Sequence, residues 1–545
     1  MKRFLCILVC LAVALSASGC ALLMDRAQIL GKEELPTDEP LMELWEAEVA
    51  FDIAYDMAPG SSMSRQAAPS TMWALPQEPE WNYDEYAPVI ESGFSATLTS
   101  PLSTFAADVD TASYANVRRM IRQQRKIPQD AVRIEEMINA FTYHYPAPQG
   151  DDPVSITAQV APCPWNRQNL LLRVGLKAQD IDTADLPPAN LVFLIDVSGS
   201  MDSPERLPLV QRSFALLTEQ LTARDRVSIV VYAGTDAVVL DGVRGDEKAK
   251  ILGAIYELKA GGSTAGAAGI TTAYEVASKY TGEGISSRVI LATDGDFNVG
   301  INSESDLIRL IEGQRDRGIF LTVLGYGYGN LKDNKLEALA KNGNGNATYI
   351  DTIHQARRAL VEEMGATLHT VAKDVKIQVE FNPAVVEAYR LIGYEHRRLA
   401  AEDFADDTKD GGEMGAGHCV TALYELVPVG AGTVPSIPLT YQNPATTDST
   451  DYATVHVRYK QPQGEVSTAV SHIVEAGDYT DTPDADFQLA AAVAAFGQMI
   501  SGSKYAGNAD QAMILDMLQP MLSGDTGGRI VELYDLVRTS GGLYE

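Results

Sequence analysis

Between positions 190 and 369 two hydrophobic rhythms alternate. Short runs at 191–197, 227–232, 289–293, 320–325 and 348–350 are apolar at nearly every residue, the signature of strands buried on both faces. Between them, 207–221, 248–258, 265–280, 303–317 and 331–341 carry apolar residues at helical spacing. This order predicts an α/β unit with a doubly wound, mainly parallel sheet, closed by a last helix at 354–369. Outside it the rhythm differs. Segments 113–124 and 131–145 read as helices, the second placing Ile134, Met137, Ile138 and Phe141 on one face. Strict alternation follows, in Ile156, Ala158 and Val160 and then Leu170, Leu172, Val174 and Leu176, which is strand periodicity. Beyond the α/β unit, 374–472 is β-like, with strands at 375–381, 420–426 and 452–459 and a Gly-rich acidic loop at 406–417. The tail returns to helix at 487–500 and 529–538. Strands on either side of the α/β unit are expected to pair into one β-sandwich in which that unit is inserted or which flanks it.

The first twenty residues belong to a different class of signal. Lys2 and Arg3 precede an apolar run of about twelve residues and then Ser16, Ala17, Ser18 and Gly19, an export signal too short to span a bilayer. Ala17-Ser18-Gly19-Cys20 resembles the lipobox of bacterial lipoproteins, which implies cleavage before Cys20, lipidation of its sulfur and an anchor in the cell envelope. Ala21 after the cysteine implies the outer membrane where the cell has one. From Asp25 to Ser95 there are fifteen acidic and three basic residues, with seven prolines scattered among them; such a stretch repels itself and reads as a disordered tether. Within it, 41–57 is apolar enough for a short helix, read as spacer before docking peptide. The expected organisation is signal peptide 1–19, tether 20–96, an N-terminal flanking region of helices then strands 97–189, the α/β domain 190–370, a β-rich domain 371–478 that pairs with strands near 154–177, and a helical domain 479–545.

Composition narrows the partners. The 545 residues carry a formal charge of −30, which repels phosphate backbones and excludes nucleic acid. The lipid at the N-terminus is the one expected membrane contact, since no later segment has eighteen uninterrupted apolar residues. With Cys6 and Cys10 removed and Cys20 lipidated, Cys163 and Cys419 remain, 256 positions apart; they are a possible disulfide in an oxidising compartment, or two buried thiols.

The chemistry gathers at strand ends. Asp196-Val197-Ser198-Gly199-Ser200 ends the first strand of the α/β unit, Gly261-Gly262-Ser263-Thr264 precedes a helix, and Thr293-Asp294-Gly295 ends another strand. All three fall on the carboxyl rim, where open α/β sheets place ligands. Two carboxylates and three hydroxyls form a hard oxygen set suited to Mg²⁺. Here the sequence resembles the von Willebrand factor type A domain, with Asp196, Ser198, Ser200, Thr264 and Asp294 on its metal-ion-dependent adhesion site. The resemblance implies Mg²⁺, or Mn²⁺ or Ca²⁺, and a protein ligand that presents an acidic residue to the metal. Ser103-Thr104-Phe105, Asp108-Val109-Asp110-Thr111-Ala112-Ser113-Tyr114 and Asp294-Gly295-Asp296-Phe297-Asn298-Val299-Gly300 resemble a narrower group, the YfbK-like bacterial lipoproteins.

Enzymatic readings find little support. Asp108 and Asp110 are similar to a phosphatase nucleophile motif, but Ala112 stands at its fifth position; Asp110 or Thr111 is expected instead to cap the helix that follows or to line a second cation loop. His144, His354, His369, His396, His418, His456 and His472 are too scattered for a helical zinc pair. His418 beside Cys419 is a core or surface neighbour before it is a reactive pair. The expected function is therefore non-enzymatic adhesion by a lipid-anchored envelope protein. The alternatives are a scaffold of an envelope complex that uses the C-terminal helices, and a Mg²⁺-dependent hydrolase whose nucleophile and base are missing.

Overall fold

The structure is a computed structural model that describes residues 86–107, 110–150, 152–181, 187–262, 266–295, 304–327, 333–362, 369–409, 411–431, 447–462, 464–525 and 527–544. All fall within one unit, Glu80–Glu545. The signal peptide, Cys20, the tether as far as 85 and its 41–57 segment lie outside the described residues, as do Asp108, Thr264 and Asp296.

The α/β unit is built on a six-stranded sheet in the order Ala347–Ile350, Ile319–Tyr326, Ser286–Thr293, Ala189–Asp196, Arg226–Tyr232, Asp236–Arg244. The first five run parallel and the last antiparallel. Helices cover both faces. Val192 and Leu194 pack under Gly266–Ser278, Glu304–Arg315 and Asp333–Asn342, while Phe193 points the other way and stacks on Phe214 of Leu207–Gln220 at 4.2 Å. The Asp236–Arg244 strand escapes the sequence pattern because it is a solvent-facing edge: Val238 and Val239 are exposed and its residues lack a buried face.

Strands from both sides of this unit form a sandwich. One sheet runs Ser95–Ala96, Val386–Ile392, Cys419–Pro428, Leu170–Ala178, Val154–Pro162; the other runs Arg398–Leu399, Leu102–Ala106, Thr370–Phe381, Ala453–Lys460, Ser467–Val474. Alternation decides what each face meets. Leu172, Val174 and Leu176 join Val420, Ala422 and Tyr424 between the sheets, against Phe105, Val379 and Phe381. The intervening Leu171 and Leu423 face outward and are buried by Ala485–Ser501 and its neighbouring helices. The acidic segment expected as a loop contains a strand, Gly412–Gly415, paired with Thr370–Phe381.

Three readings need correction. The stretch 131–145 is helical only over Gln129–Ala131 and Ile134–Asn139, because Tyr143 and Tyr145 leave the helix to stack on each other at 5.5 Å in the core. Thr111 occupies the N-cap of the helix Ala112–Arg122, but its side chain does not supply a capping hydrogen bond. Glu136 does so from a distance, accepting the Ser113 amide at 2.8 Å, while Asp110 accepts the Ala347 amide at 3.1 Å and the Arg397 guanidinium at 2.7 Å. Finally, residues 89–96, expected as the end of a tether, are part of the fold: Val89 donates to Asp130 at 2.9 Å, Phe94 meets the Tyr505 ring edge-on at 5.6 Å, and Ser95–Ala96 joins a sheet.

The helix Ala112–Arg122 runs along the edge strand Ala347–Ile350. From Asp110, two residues before the helix, to Arg118 the chain advances about as far as the four strand residues from Ala347 to Asp351, which rise about 13 Å. The match lets Asp110 hold one end and Arg118 the other, with Arg118 Nε 2.8 Å from Asp351 Oδ2. Arg119 lies over the Tyr349 ring between them, at 5.4 Å. An edge that would otherwise offer unpaired backbone groups is thereby covered.

His369 follows the α/β unit and is buried at the start of the sandwich strand. Burial, helped by the charge of Arg288, pushes its pKa down to about 4. The folded chain keeps this ring neutral, whereas an unfolded chain takes up a proton near the ordinary value of about 6.5. The unfolded state therefore binds more protons between those values, and stability falls as pH drops from about 6.5 toward 4. Urea titrations at pH 7 and pH 4.5 are expected to show a loss on the order of 2 kcal/mol that His369→Gln removes. Equal losses in both proteins would refute this assignment.

Candidate functional site

The site lies at the carboxyl rim of the parallel sheet. Asp196 is the last residue of its strand, fully buried and opposite Tyr232 in the ladder. A tight turn follows, because the Ser198 amide donates back to Asp196 Oδ1 at 2.9 Å. This brings the hydroxyls of Ser198 and Ser200 to 3.0 Å from each other. Asp294, also buried, follows the adjacent strand Ser286–Thr293. Thr293 Oγ1 donates to Asp196 Oδ2 at 3.4 Å and accepts the Gly295 amide at 3.3 Å, so it joins the two acidic turns. The turn leading to Thr264 is tied to the same place: the Gly261 amide donates to the Val197 carbonyl at 2.7 Å and the Gly199 amide to the Gly262 carbonyl at 3.0 Å. Gly262 has φ +90°, a conformation that glycine adopts without strain.

Four of the five candidate ligands are thus brought together, and the fifth, Thr264, lies outside the described residues. Two oxygens bound at about 2.1 Å on adjacent corners of an octahedron are about 3 Å apart, the separation of the two serine hydroxyls. The donor set therefore fits a hard divalent cation, held by hydroxyls with the carboxylates beside them. Among the described residues no three His, Cys, Asp or Glu side chains converge on one point; this set depends on serines instead. Burial pushes the Asp196 carboxyl up to about 6, opposed by hydrogen bonds from Ser198 and reinforced by the charge of Asp294. A positive charge near these carboxylates is favoured on the same grounds.

Two neighbours were not singled out from the sequence. Tyr232 is fully buried opposite Asp196 in the ladder, and burial, reinforced by the charge of Asp196, holds its hydroxyl well above the usual range. Arg206 places Nη1 2.9 Å from Asp294 Oδ2 and donates to the Ser200 carbonyl. Only its place just before the helix Leu207–Gln220, six residues beyond Ser200, marks it in the sequence.

The other candidates do not form sites. Cys163 and Cys419 are both free thiols rather than a disulfide. Cys419 pairs with Lys177 and Pro162, just before Cys163, pairs with Leu170, which puts the two cysteines at opposite ends of one strand, roughly 23 Å apart. A disulfide needs Cα atoms within about 7 Å. Burial raises the Cys419 thiol above its ordinary pKa, and its Sγ donates to the Tyr143 carbonyl at 3.5 Å, so His418 and Cys419 make no reactive pair. His144 meets Asp486, His396 the Pro88 carbonyl, and His456 the Ser471 hydroxyl.

Known proteins resemble the chain in sequence and in fold. The von Willebrand factor type A domain model matches residues 190–362. A model described as uncharacterized protein YfbK, C-terminal, matches 366–543, and one described as von Willebrand factor matches 80–173. The chain is 41% identical over 454 residues to the uncharacterized protein YfbK of Escherichia coli (strain K12), spanning 82% of this chain and 79% of that protein. Among solved structures it is similar to a von Willebrand factor type A protein from Catenulispora acidiphila, at 15% identity over 69% of this chain and 89% of the other, with a TM-score of 0.39. It is also similar to proximal thread matrix protein 1 of the mussel byssus, whose structure has a zinc-occupied MIDAS motif, at 21% identity over 35% of this chain and 48% of the other, with a TM-score of 0.28.

Proposed function

Because the chain belongs to the YfbK family and contains a von Willebrand factor type A domain, we propose that it is a lipid-anchored envelope protein that binds an acidic protein ligand through a divalent cation. The observation that carries this reading is the pair of serine hydroxyls 3.0 Å apart beside the buried carboxylates Asp196 and Asp294. Asp196, Ser198, Ser200, Asp294 and, by resemblance, Thr264 would hold the cation, which supplies a positive charge for the ligand's carboxylate. Mg²⁺ is the first choice and Mn²⁺ or Ca²⁺ the next, because every donor is oxygen. The chain's own part is to fix these donors before the ligand arrives. We read the function as binding rather than catalysis, because the paired hydroxyls and buried carboxylates are the donor set of a cation site.

Anchoring through Cys20 accords with the export signal, and no helix among the described residues is long and apolar enough to cross a membrane. The scaffold alternative has less surface to draw on, because Phe487, Leu489, Val493, Ile514, Leu533 and Val537 of the C-terminal helices are already buried in the core.

Two arms test the proposal on the full chain in cells. Envelope proteins crosslinked to the wild type are expected to be lost with EDTA and with Asp196→Ala, while Cys20→Ser moves the protein to the soluble fraction without losing cation binding. Crosslinks that persist in both EDTA and Asp196→Ala would sink the metal-dependent mechanism.

A further inference from the structure

Arg206 does more at this rim than fill space. Its guanidinium is paired at 2.9 Å with Asp294, whose side chain is fully buried, while the Arg206 side chain itself is 17% exposed. The same Nη1 reaches the carbonyl of Ser200, one of the candidate ligands. Its stem lies against Gly327, just beyond the strand Ile319–Tyr326, where a Cβ would overlap the Arg206 side chain. Gly327 has φ +73°, and the Tyr349 hydroxyl donates to its carbonyl. A glycine pinned on the neighbouring strand end thus makes room for one particular cation beside the acidic turns.

We propose that Arg206 is the charge-balancing residue of this site, weakening its hold on a bare divalent cation so that the cation and an anionic ligand bind together. The inference rests on the cation-dependent reading above and deepens it. Asp196 and Asp294 ionised, with Arg206, leave one net negative charge. Adding a dication makes the site net positive, and a ligand carboxylate then brings it to neutrality. Without Arg206 the two carboxylates alone neutralise a dication, and a further carboxylate is left in excess. The arginine therefore trades affinity for the cation against demand for an acidic ligand, through Coulomb repulsion that acts strongly in a partly desolvated site. A residue that only pinned the loop through the Ser200 carbonyl would have the opposite effect, because losing it would disorder a ligand and weaken cation binding.

The test is a Mn²⁺ titration of the full chain, followed by electron paramagnetic resonance of the free ion, with and without acetate as the carboxylate probe. Arg206→Gln is expected to bind Mn²⁺ roughly tenfold or more tightly than the wild type, and acetate to improve its affinity less than it improves the wild type's. Arg206→Lys, which keeps the charge, is expected to stay closer to the wild type than Arg206→Gln does. Thermal unfolding adds a second readout: Mn²⁺ should raise the Tm of Arg206→Gln more than that of the wild type. Unchanged or weaker Mn²⁺ binding by folded Arg206→Gln overturns the charge-balancing role. Asp196→Ala distinguishes this failure from a deeper one, since a variant that binds Mn²⁺ as tightly as the wild type overturns the cation site itself.

Discussion

Arg390→Ala is expected to destabilise the sandwich by about 3–5 kcal/mol, the cost of breaking a buried charge pair by removing one partner. Arg390 is 2% exposed and stands directly opposite Glu425 across the ladder. Its Nη2 donates to Glu425 Oε2 at 3.0 Å and to Gln498 Oε1 at 2.8 Å, the latter on the helix Ala485–Ser501. Its plane lies over the Tyr505 ring at 4.4 Å. Glu425 also accepts Asn169 Nδ2 at 2.6 Å and Trp165 Nε1 at 3.4 Å. Alanine would leave this carboxylate with two neutral donors and no cation in a dry layer between sheet and helix. Replacing both charges by Arg390→Met with Glu425→Leu is expected to recover part of the loss, because Glu425 is then no longer stranded, while Glu91, 3.6 Å from Arg390 Nη1 and 20% exposed, still loses its cation. Urea unfolding checks both; a single variant as stable as the wild type would contradict the network's role.

The second large effect is at Arg118, where alanine is again expected to cost about 3–5 kcal/mol, but with a different pattern. Arg118 joins three parts of the chain: the helix Ala112–Arg122 that carries it, Asp351 at the end of the edge strand, and Glu532 on the helix Arg529–Tyr544, 3.1 Å away. Arg122 also reaches Glu532, at 3.0 Å. Removing Arg118 leaves Asp351, whose side chain is only 9% exposed, without its charge partner and weakens the hold on the C-terminal helix. Amide exchange is expected to quicken in 347–357 and 529–544 together, while the sandwich strands keep their protection. Arg118→Lys should fall between, since an ammonium keeps the charge but not the two-pronged contact. Faster exchange confined to one of the two segments would show that Arg118 does not join them.

What the sequence discloses depends on whether a residue's role is local. The parallel strands of the α/β unit are legible because both their faces are buried and their central positions are apolar at nearly every residue. Asp196, Ser198 and Ser200 are legible because their turn is local, closed by a hydrogen bond between positions two apart. Glu136 as a helix cap, Arg206 as the partner of Asp294 and Arg390 as the partner of Glu425 are not. Those pairs are 23, 88 and 35 positions apart, and their chemistry arises only when tertiary packing brings them together. The edge strand Asp236–Arg244 is hidden for the opposite reason: it is formed by a hairpin against one neighbour, so solvent exposure removes the hydrophobic signal. The disulfide expectation fails on register, which composition cannot disclose.

The insertion of the α/β unit has a mechanical consequence. The chain enters it from Leu170–Ala178 in one sheet and leaves it into Thr370–Phe381 in the other. A pull exerted on the rim of the α/β unit therefore reaches one strand of each layer. It tends to pry the layers apart, so their shared core around Phe105, Phe381 and Tyr424 bears tension while the two hydrogen-bonded ladders bear shear. The helix laid along the edge strand gives the same load a third route, into the C-terminal helices through Arg118. Three routes in parallel resist a steady tug better than a single linker does.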